Sequence, residues 1–183
     1  ANETRDWRLW QDLAQSLMGK ARSLYANEDL GLDIENTVYA LDSTTVDLSL
    51  TLFPWANFRK TKAGIKLHTQ IDLRGPIPTC IFVSDARQHD VRWLDDLIFE
   101  AGAFYVLDRG YMDFKRLDLL VRAGAFFVTR AKDNLRFSRQ YSQPVDQSTG
   151  LRSDQIGKPT LAKARKDFPS LLRKISFYDE ESS

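Results

Sequence analysis

Two aspartates stand where a carboxylate is costly to keep. Asp42 interrupts the β-branched and aromatic run Thr37-Val38-Tyr39-Ala40-Leu41-Asp42-Ser43-Thr44-Thr45-Val46, and Asp108 ends the apolar run Ala103-Phe104-Tyr105-Val106-Leu107. An ionised carboxylate within such a strand needs a compensating partner. Hard cations such as magnesium bind carboxylate oxygens. Two of them together can activate a nucleophile and stabilise the leaving oxygen at a phosphorus centre. If the two strands are neighbours in one sheet, both carboxylates reach one site, and the pair predicts metal-dependent phosphoryl transfer. A purely local reading stays open from the same residues: Asp42 bonding a hydroxyl such as Ser43 or Thr44, and Asp108 making a turn with Gly110.

Other chemistry-bearing residues give weaker signals. His68 sits on an alternating strand pattern and His89 precedes a helix cap, so each reads first as a hydrogen-bonded structural group. Asp85 closes a strand in Ser84-Asp85-Ala86-Arg87, where turn chemistry accounts for it. Cys80 lies in the run Cys80-Ile81-Phe82-Val83 and reads as a small core residue. With one Cys and two His the chain is a poor source of a structural zinc site, and a single thiol fits a reducing, cytoplasmic compartment. No Walker-type loop or dinucleotide fingerprint is present.

The net charge of +1 hides an uneven distribution. Arg59, Lys60, Lys62 and Lys66 fall in one stretch without an acid. The stretch from Lys115 to Arg139, which includes Arg130 and Lys132, is strongly basic, as is that from Lys158 to Lys174. Such segments fit phosphate-binding faces, and equally an ordinary solvated surface. Phe53, Trp55 and Phe58 beside Arg59 and Lys60 could stack bases, although a loop anchor explains them as well. The 183 residues, 43% hydrophobic and 28% charged, suit one domain with a substantial core, and no run approaches a membrane span.

The elements that must carry these residues follow from periodicity. Residues 3–26 read as an amphipathic helix with Trp7, Trp10, Ala14, Leu17, Ala21 and Leu24 on one stripe, Asn2 as a cap and the tryptophans as core anchors. Strands are predicted at 37–46, 64–73 and 78–83, the last two as a hairpin across Arg74-Gly75-Pro76. Asp90 caps a predicted helix with Val91, Leu94, Leu97, Ile98 and Ala101 inward and Gly102 as its stop. A strand over 103–108 is of the kind buried on both faces. A helix capped by Asp113 and closed by Gly124 follows, then a strand over 125–129. Beyond Arg130 short strand-like pieces at 136–141 and 171–178 alternate with turn-rich segments.

At the level of whole motifs the chain resembles bacterial insertion-sequence transposases of the DDE type. The resemblance rests on Tyr39-Ala40-Leu41-Asp42-Ser43-Thr44-Thr45, Leu52-Phe53-Pro54-Trp55-Ala56, Gly64-Ile65-Lys66-Leu67-His68 and Phe104-Tyr105-Val106-Leu107-Asp108-Arg109-Gly110-Tyr111, with Ala125-Phe126-Phe127-Val128-Thr129-Arg130-Ala131-Lys132 and Tyr141-Ser142-Gln143-Pro144-Val145-Asp146 after them. It implies an α/β, ribonuclease-H-like mixed five-stranded sheet flanked by helices, with an N-terminal helix and part of a β-rich insertion. The implied layout is a helical segment over 1–36, the catalytic core over 37–132 and the insertion over 133–183.

The same resemblance implies that Asp42 and Asp108 are the first two catalytic acids and bind magnesium or manganese. The implied reaction is hydrolysis of a strand at the transposon end, then joining of its 3′-hydroxyl to target DNA. Double-stranded DNA is the implied partner, with a homodimer on DNA for the parent and a cytoplasmic, nucleoid-associated location. The family's third acid is a glutamate in a Y-x2-R-x3-E-x6-K signature. Three residues after Tyr178 stands Glu181 rather than arginine, so neither Glu180 nor Glu181 takes that role. The chain is therefore expected to be a piece lacking the third acid, inactive by itself. Two other readings compete: a chain that only binds DNA or a full-length transposase, and a phosphatase with Asp42 as nucleophile. The phosphatase is the weaker, because its usual second acid two residues on is here Thr44.

Overall fold

The computed structural model describes residues 6–25, 27–28, 30–49, 51, 57–59 and 62–178. Its centre is one mixed sheet. β1 (Val38–Leu48) pairs antiparallel with β3 (Lys62–Asp72), and β3 pairs antiparallel with β4 (Ile77–Asp85). On its other side β1 pairs parallel with β5 (Phe104–Leu107), which pairs parallel with β6 (Phe126–Thr129). The five expected strands are all present, and the short β2 (Asn57–Arg59) adds a sixth beside the start of β3.

One face of the sheet carries the core. Tyr39 and Leu41 from β1 and Tyr105 and Leu107 from β5 pack with Trp93, Leu94, Leu117, Leu120 and Phe168. Leu117 and Leu120 come from α2 (Phe114–Arg122), whose cap is the expected Asp113, its side chain accepting from the Arg116 N–H. The opposite face of β5 and β6 is uncovered: Val106, Phe126 and Val128 are exposed there, and Phe104 stacks on Phe126 at 4.9 Å between ring centroids.

Three expectations are corrected. The helix predicted from Asp90 to Ala101 is only a 3-10 turn, Asp90–Asp95, after which the chain extends. Two tertiary demands override the helical pattern. The Asp90 carboxylate, wanted for a cap, is taken by Lys66 at 2.8 Å. Glu100 must reach out to accept from the Tyr39 hydroxyl at 2.6 Å while its N–H donates to Tyr105 Oη at 2.9 Å. Ile98, assigned to the inner stripe, is 94% exposed.

The first helix, α1 (Trp7–Leu24), starts later than expected, capped by Asp6, and Asn2 lies outside the described residues. Trp10 is no core anchor, being 47% exposed. The helix rests on β4; the Trp7 side chain lies outside the described ones, and among those described Ala14, Met18 and Ala21 are half-buried and the rest exposed.

The third correction lies beyond Arg130. β7 (Phe137–Gln143), β8 (Leu151–Pro159) and β9 (Leu172–Phe177) form a separate antiparallel sheet with β8 in the middle. β8 and the short α3 (Ala162–Asp167) fall in stretches that read as turns. β8 is polar, so its strand character comes from ladders on both sides and from Asp154, buried against Arg173 at 2.7 Å. Gly157 lets β7 approach, since a Cβ there would collide with the Ser138 carbonyl. Phe168, just after α3, docks this sheet onto the core by meeting the rings of Phe114 and Phe127 at 6.2 and 6.1 Å.

Candidate active site

The parallel pairing of β1 with β5 runs from Val38↔Phe104 to Leu41↔Leu107. The next residue on each strand is one of the two aspartates. Asp42 and Asp108 therefore stand at the same level on adjacent strands, whose backbones lie about 4.8 Å apart in any sheet. Because side chains alternate, Leu41 and Leu107 enter the core while Asp42 and Asp108 take the other side, at the end of the uncovered face; both are exposed.

Local structure holds each acid differently. β1 continues past Asp42, pairing it with Thr69 of β3. Among the described residues no hydrogen bond or ion pair reaches the Asp42 carboxylate. β5 ends at Leu107, and Asp108 caps the short turn Arg109–Tyr111, its Oδ2 accepting from the Gly110 N–H at 3.3 Å. The local reading of Asp108 with Gly110 is thus realised geometrically. For Asp42 it is not: among the described residues no hydroxyl bonds its carboxylate, and Ser43 lies toward Asp90 instead.

Beside Asp108 opens a broad cleft of about 600 Å³ lined by Asp108, Arg109, Gly110, Lys132, Asp133 and Asn134. Lys132 donates to the Met112 carbonyl at 3.2 Å, which ties the loop after β6 to the turn after Asp108. Arg109 lies 3.7 Å from Asp133, both well exposed. Arg130, directly after β6, is exposed on the same side of the strand end.

The remaining expected basic residues divide. Arg59 and Lys62 lie on the β2–β3 hairpin. Lys60, Phe53 and Trp55 lie outside the described residues, as do Glu180 and Glu181. Lys66 points away from solvent: its ammonium donates to Asp90 at 2.8 Å and to the Gln88 carbonyl at 2.9 Å.

Behind the aspartates, on the core side, sits a polar cluster that the sequence did not suggest. Ser43 is paired with His68 across the β1–β3 ladder. His68 is fully buried, bonded through Nε2 to Ser84 Oγ at 2.8 Å and set against Trp93 at 5.4 Å. Burial pushes its pKa below the usual value, so the imidazole is neutral near pH 7. Its Nδ1 has no partner among the described residues, nor has the buried Tyr111 hydroxyl in full hydrogen-bond geometry. The Tyr111 pKa is driven up by burial, against the pull of the neighbouring Ser43, with the carboxylates of Asp90, Asp42 and Asp108 adding to the rise. For Asp90, burial pushes upward but the bond from Lys66, with Ser43 nearby, outweighs it, and the carboxyl ends below its ordinary value. Asp90 was legible only as a cap and Tyr111 only as part of the Asp108 motif. Their meeting depends on chain crossing, which no local pattern encodes.

Among the described residues no three His, Cys, Asp or Glu side chains gather as a ready metal cage. The donor chemistry at Asp42 and Asp108 nevertheless fits a hard divalent ion: two exposed carboxylates, side by side, with no arginine or lysine among the described residues neutralising either.

The class follows from comparison with known proteins. The transposase DDE domain family matches residues 34–177, and the chain belongs to that family. Among its relatives, a protein named as the transposase y4zB of Sinorhizobium fredii (strain NBRC 101917 / NGR234) is 30% identical over 139 residues, covering 74% of this chain and 39% of the relative. A protein of Geobacillus stearothermophilus, named as the transposase for insertion sequence element IS5377, is 31% identical over 102 residues, covering 56% and 27%. The chain thus spans well under half the length of either relative. No solved structure matches it. Among the described residues no helix is long and apolar enough to cross a membrane.

Proposed function

We propose that this chain is the part of a bacterial insertion-sequence transposase that carries the first two catalytic acids, and that the whole protein cuts and joins double-stranded DNA at transposon ends. The observation that carries this reading is the register of Asp42 and Asp108 on adjacent parallel strands, one step beyond Leu41↔Leu107. Magnesium or manganese, when bound, supplies charge neutralisation at the phosphorus centre and lowers the pKa of the attacking water. The protein's own part is to present the ligand oxygens and seat the DNA. Asp42 is held rigidly inside a ladder, and Asp108 is held by its bond to the Gly110 N–H. Arg109, Lys132 and Arg130 line or border the open side of Asp108, where a phosphate of the cut strand would lie. Arg59, Lys60 and Lys62 would extend that contact along the duplex.

A third acid comes from elsewhere in the longer protein in this reading. The exposed apolar face of Val106, Phe126 and Val128 leads directly to both aspartates and offers a seat for the element that carries it. Pairing of two such proteins on DNA and a nucleoid-associated, cytoplasmic location belong to the same proposal. For the chain taken by itself, a meeting of two carboxylates and no third among the described residues favours DNA binding without cleavage.

The test uses the complete protein on labelled duplexes with its transposon ends, in magnesium. Asp42→Asn and Asp108→Asn are each expected to lower strand cleavage by about 10³-fold, the effect of losing several kcal/mol of metal-ion stabilisation. Cleavage retained in either variant would sink the reading.

A further inference from the structure

We propose that Lys66 is a positioning residue of the two-aspartate site, acting through Asp90, Ser43 and Tyr111, rather than a residue that contacts DNA. The inference rests on the metal-site reading of Asp42 and Asp108.

Four elements supply the arrangement. Lys66 on β3 is only 16% exposed in its side chain, and its ammonium is spent on the Asp90 carboxylate and the Gln88 carbonyl. Asp90, 31% exposed in its side chain, begins the 3-10 turn that buries Trp93 and Leu94. Its carboxylate also lies near Ser43, the residue after Asp42, and its turn packs against the Arg109–Tyr111 turn. Tyr111, fully within the core, has its hydroxyl beside Ser43 and its N–H bonded to the Asp108 carbonyl at 2.9 Å. A continuous path therefore runs from Lys66 through Asp90 and Ser43 to the backbone at Asp42, and through Tyr111 to the backbone at Asp108.

The ion pair fixes where the 90–95 turn sits. That turn fixes the Ser43 hydroxyl, and Ser43 with Tyr111 sets how closely the two aspartate-bearing strand ends approach. A largely buried pair of this kind contributes geometry more than net stability, and losing one partner leaves the other charge uncompensated. The low pKa of Asp90 agrees with a carboxylate kept ionised against burial by Lys66 and Ser43. An ammonium so engaged, with two of its three donors bonded and its side chain largely buried, is poorly placed to meet a phosphate, although sequence alone places Lys66 in a basic stretch.

Two measurements on the purified chain decide between the roles: Mn2+ affinity by water-proton relaxation, and duplex-DNA affinity across a salt series. Lys66→Met is expected to weaken Mn2+ binding about 10- to 100-fold, the usual cost of losing an outer support of a metal site. The slope of log affinity against log salt should stay unchanged, whereas Lys132→Ala should lower it by about one phosphate contact. The double variant Lys66→Met/Asp90→Asn removes both charges, and it should fold and regain most of the lost Mn2+ affinity. If Lys66→Met instead reduces the salt slope by about one contact, Lys66 touches DNA and the proposal is overturned. Asp42→Asn separates the layers. If it loses Mn2+ binding while Lys66→Met keeps it, this inference alone fails. If Asp42→Asn binds Mn2+ as the parent does, the metal-site reading fails and this inference with it.

Discussion

β1 and β5 run side by side, and their two ends are built on opposite plans. At the entry end every polar group has an answer. The Tyr39 hydroxyl accepts from Arg22 at 2.7 Å and donates to Glu100 at 2.6 Å, Tyr105 accepts from the Glu100 N–H, and Arg22 lies 3.7 Å from Asp72. Arg74 bonds Thr37 just ahead of β1. At the exit end, four residues on, two carboxylates stand side by side and exposed, with one backbone N–H between them as support. The entry end ties α1, β1, β3 and the extended segment before β5 together. Among the described residues the exit end gives its two carboxylates no cation, which leaves their oxygens available as ligands.

The contrast is broken most directly by exchanging what each end loses. In the whole protein, Asp42→Asn and Asp108→Asn should lower cleavage about 10³-fold without lowering the melting temperature, since among the described residues neither carboxylate is held by another side chain. Tyr39→Phe should do the reverse, leaving cleavage intact and costing about 1–3 kcal/mol, because it strands buried partners that include charged ones. Chemical denaturation and a cleavage assay on the same variants check both halves. A melting temperature that falls in the aspartate variants and holds in Tyr39→Phe would invert the comparison.

A smaller effect should appear with pH. His68 is held neutral by burial, with Asp90 favouring and Lys66 opposing its protonation. Its folded pKa is depressed, so the unfolded chain takes up the proton first. The stability from that neutral imidazole is complete above about pH 6.5 and is lost as pH falls from there through the lower folded pKa. Denaturation midpoints between pH 7.5 and 5.5 should therefore decline in the parent and stay flatter in His68→Gln. Equal slopes would show that the cluster behind the exit end is insensitive to proton uptake.

The smallest expected effect concerns the segment joining the two plans. Ile98 points to solvent, so Ile98→Ala should change stability by no more than about 0.5 kcal/mol. A loss of 2 kcal/mol or more, as for a buried aliphatic residue, would restore the helix that periodicity predicts over 90–101.

Much of this was legible because it is local. Apolar runs with alternation marked all five main strands, and Asp113 and Gly124 bounded α2 as their side-chain chemistry dictates. The interruption of one apolar strand by Asp42 and the ending of another by Asp108 made the acids conspicuous before any pairing was known. Where long-range partners outbid local preference, the pattern misled. Asp90 left its cap for Lys66, Glu100 stretched the chain toward Tyr39 and Tyr105, and α1 kept its apolar stripe mostly uncovered. The polar strand β8 was hidden because its partners lie in β7 and β9.

By itself, then, the amino-acid sequence singled out the two acids as candidates and determined which segments form the main strands of the sheet, since both follow from residue type and short-range spacing. Only the tertiary structure decided that the two acids stand level on neighbouring strands. It also decided that Lys66, one of several similar lysines by sequence, turns inward. Register and burial arise from contacts between segments far apart in the chain, where a carboxylate or an ammonium meets partners that its own neighbourhood does not contain.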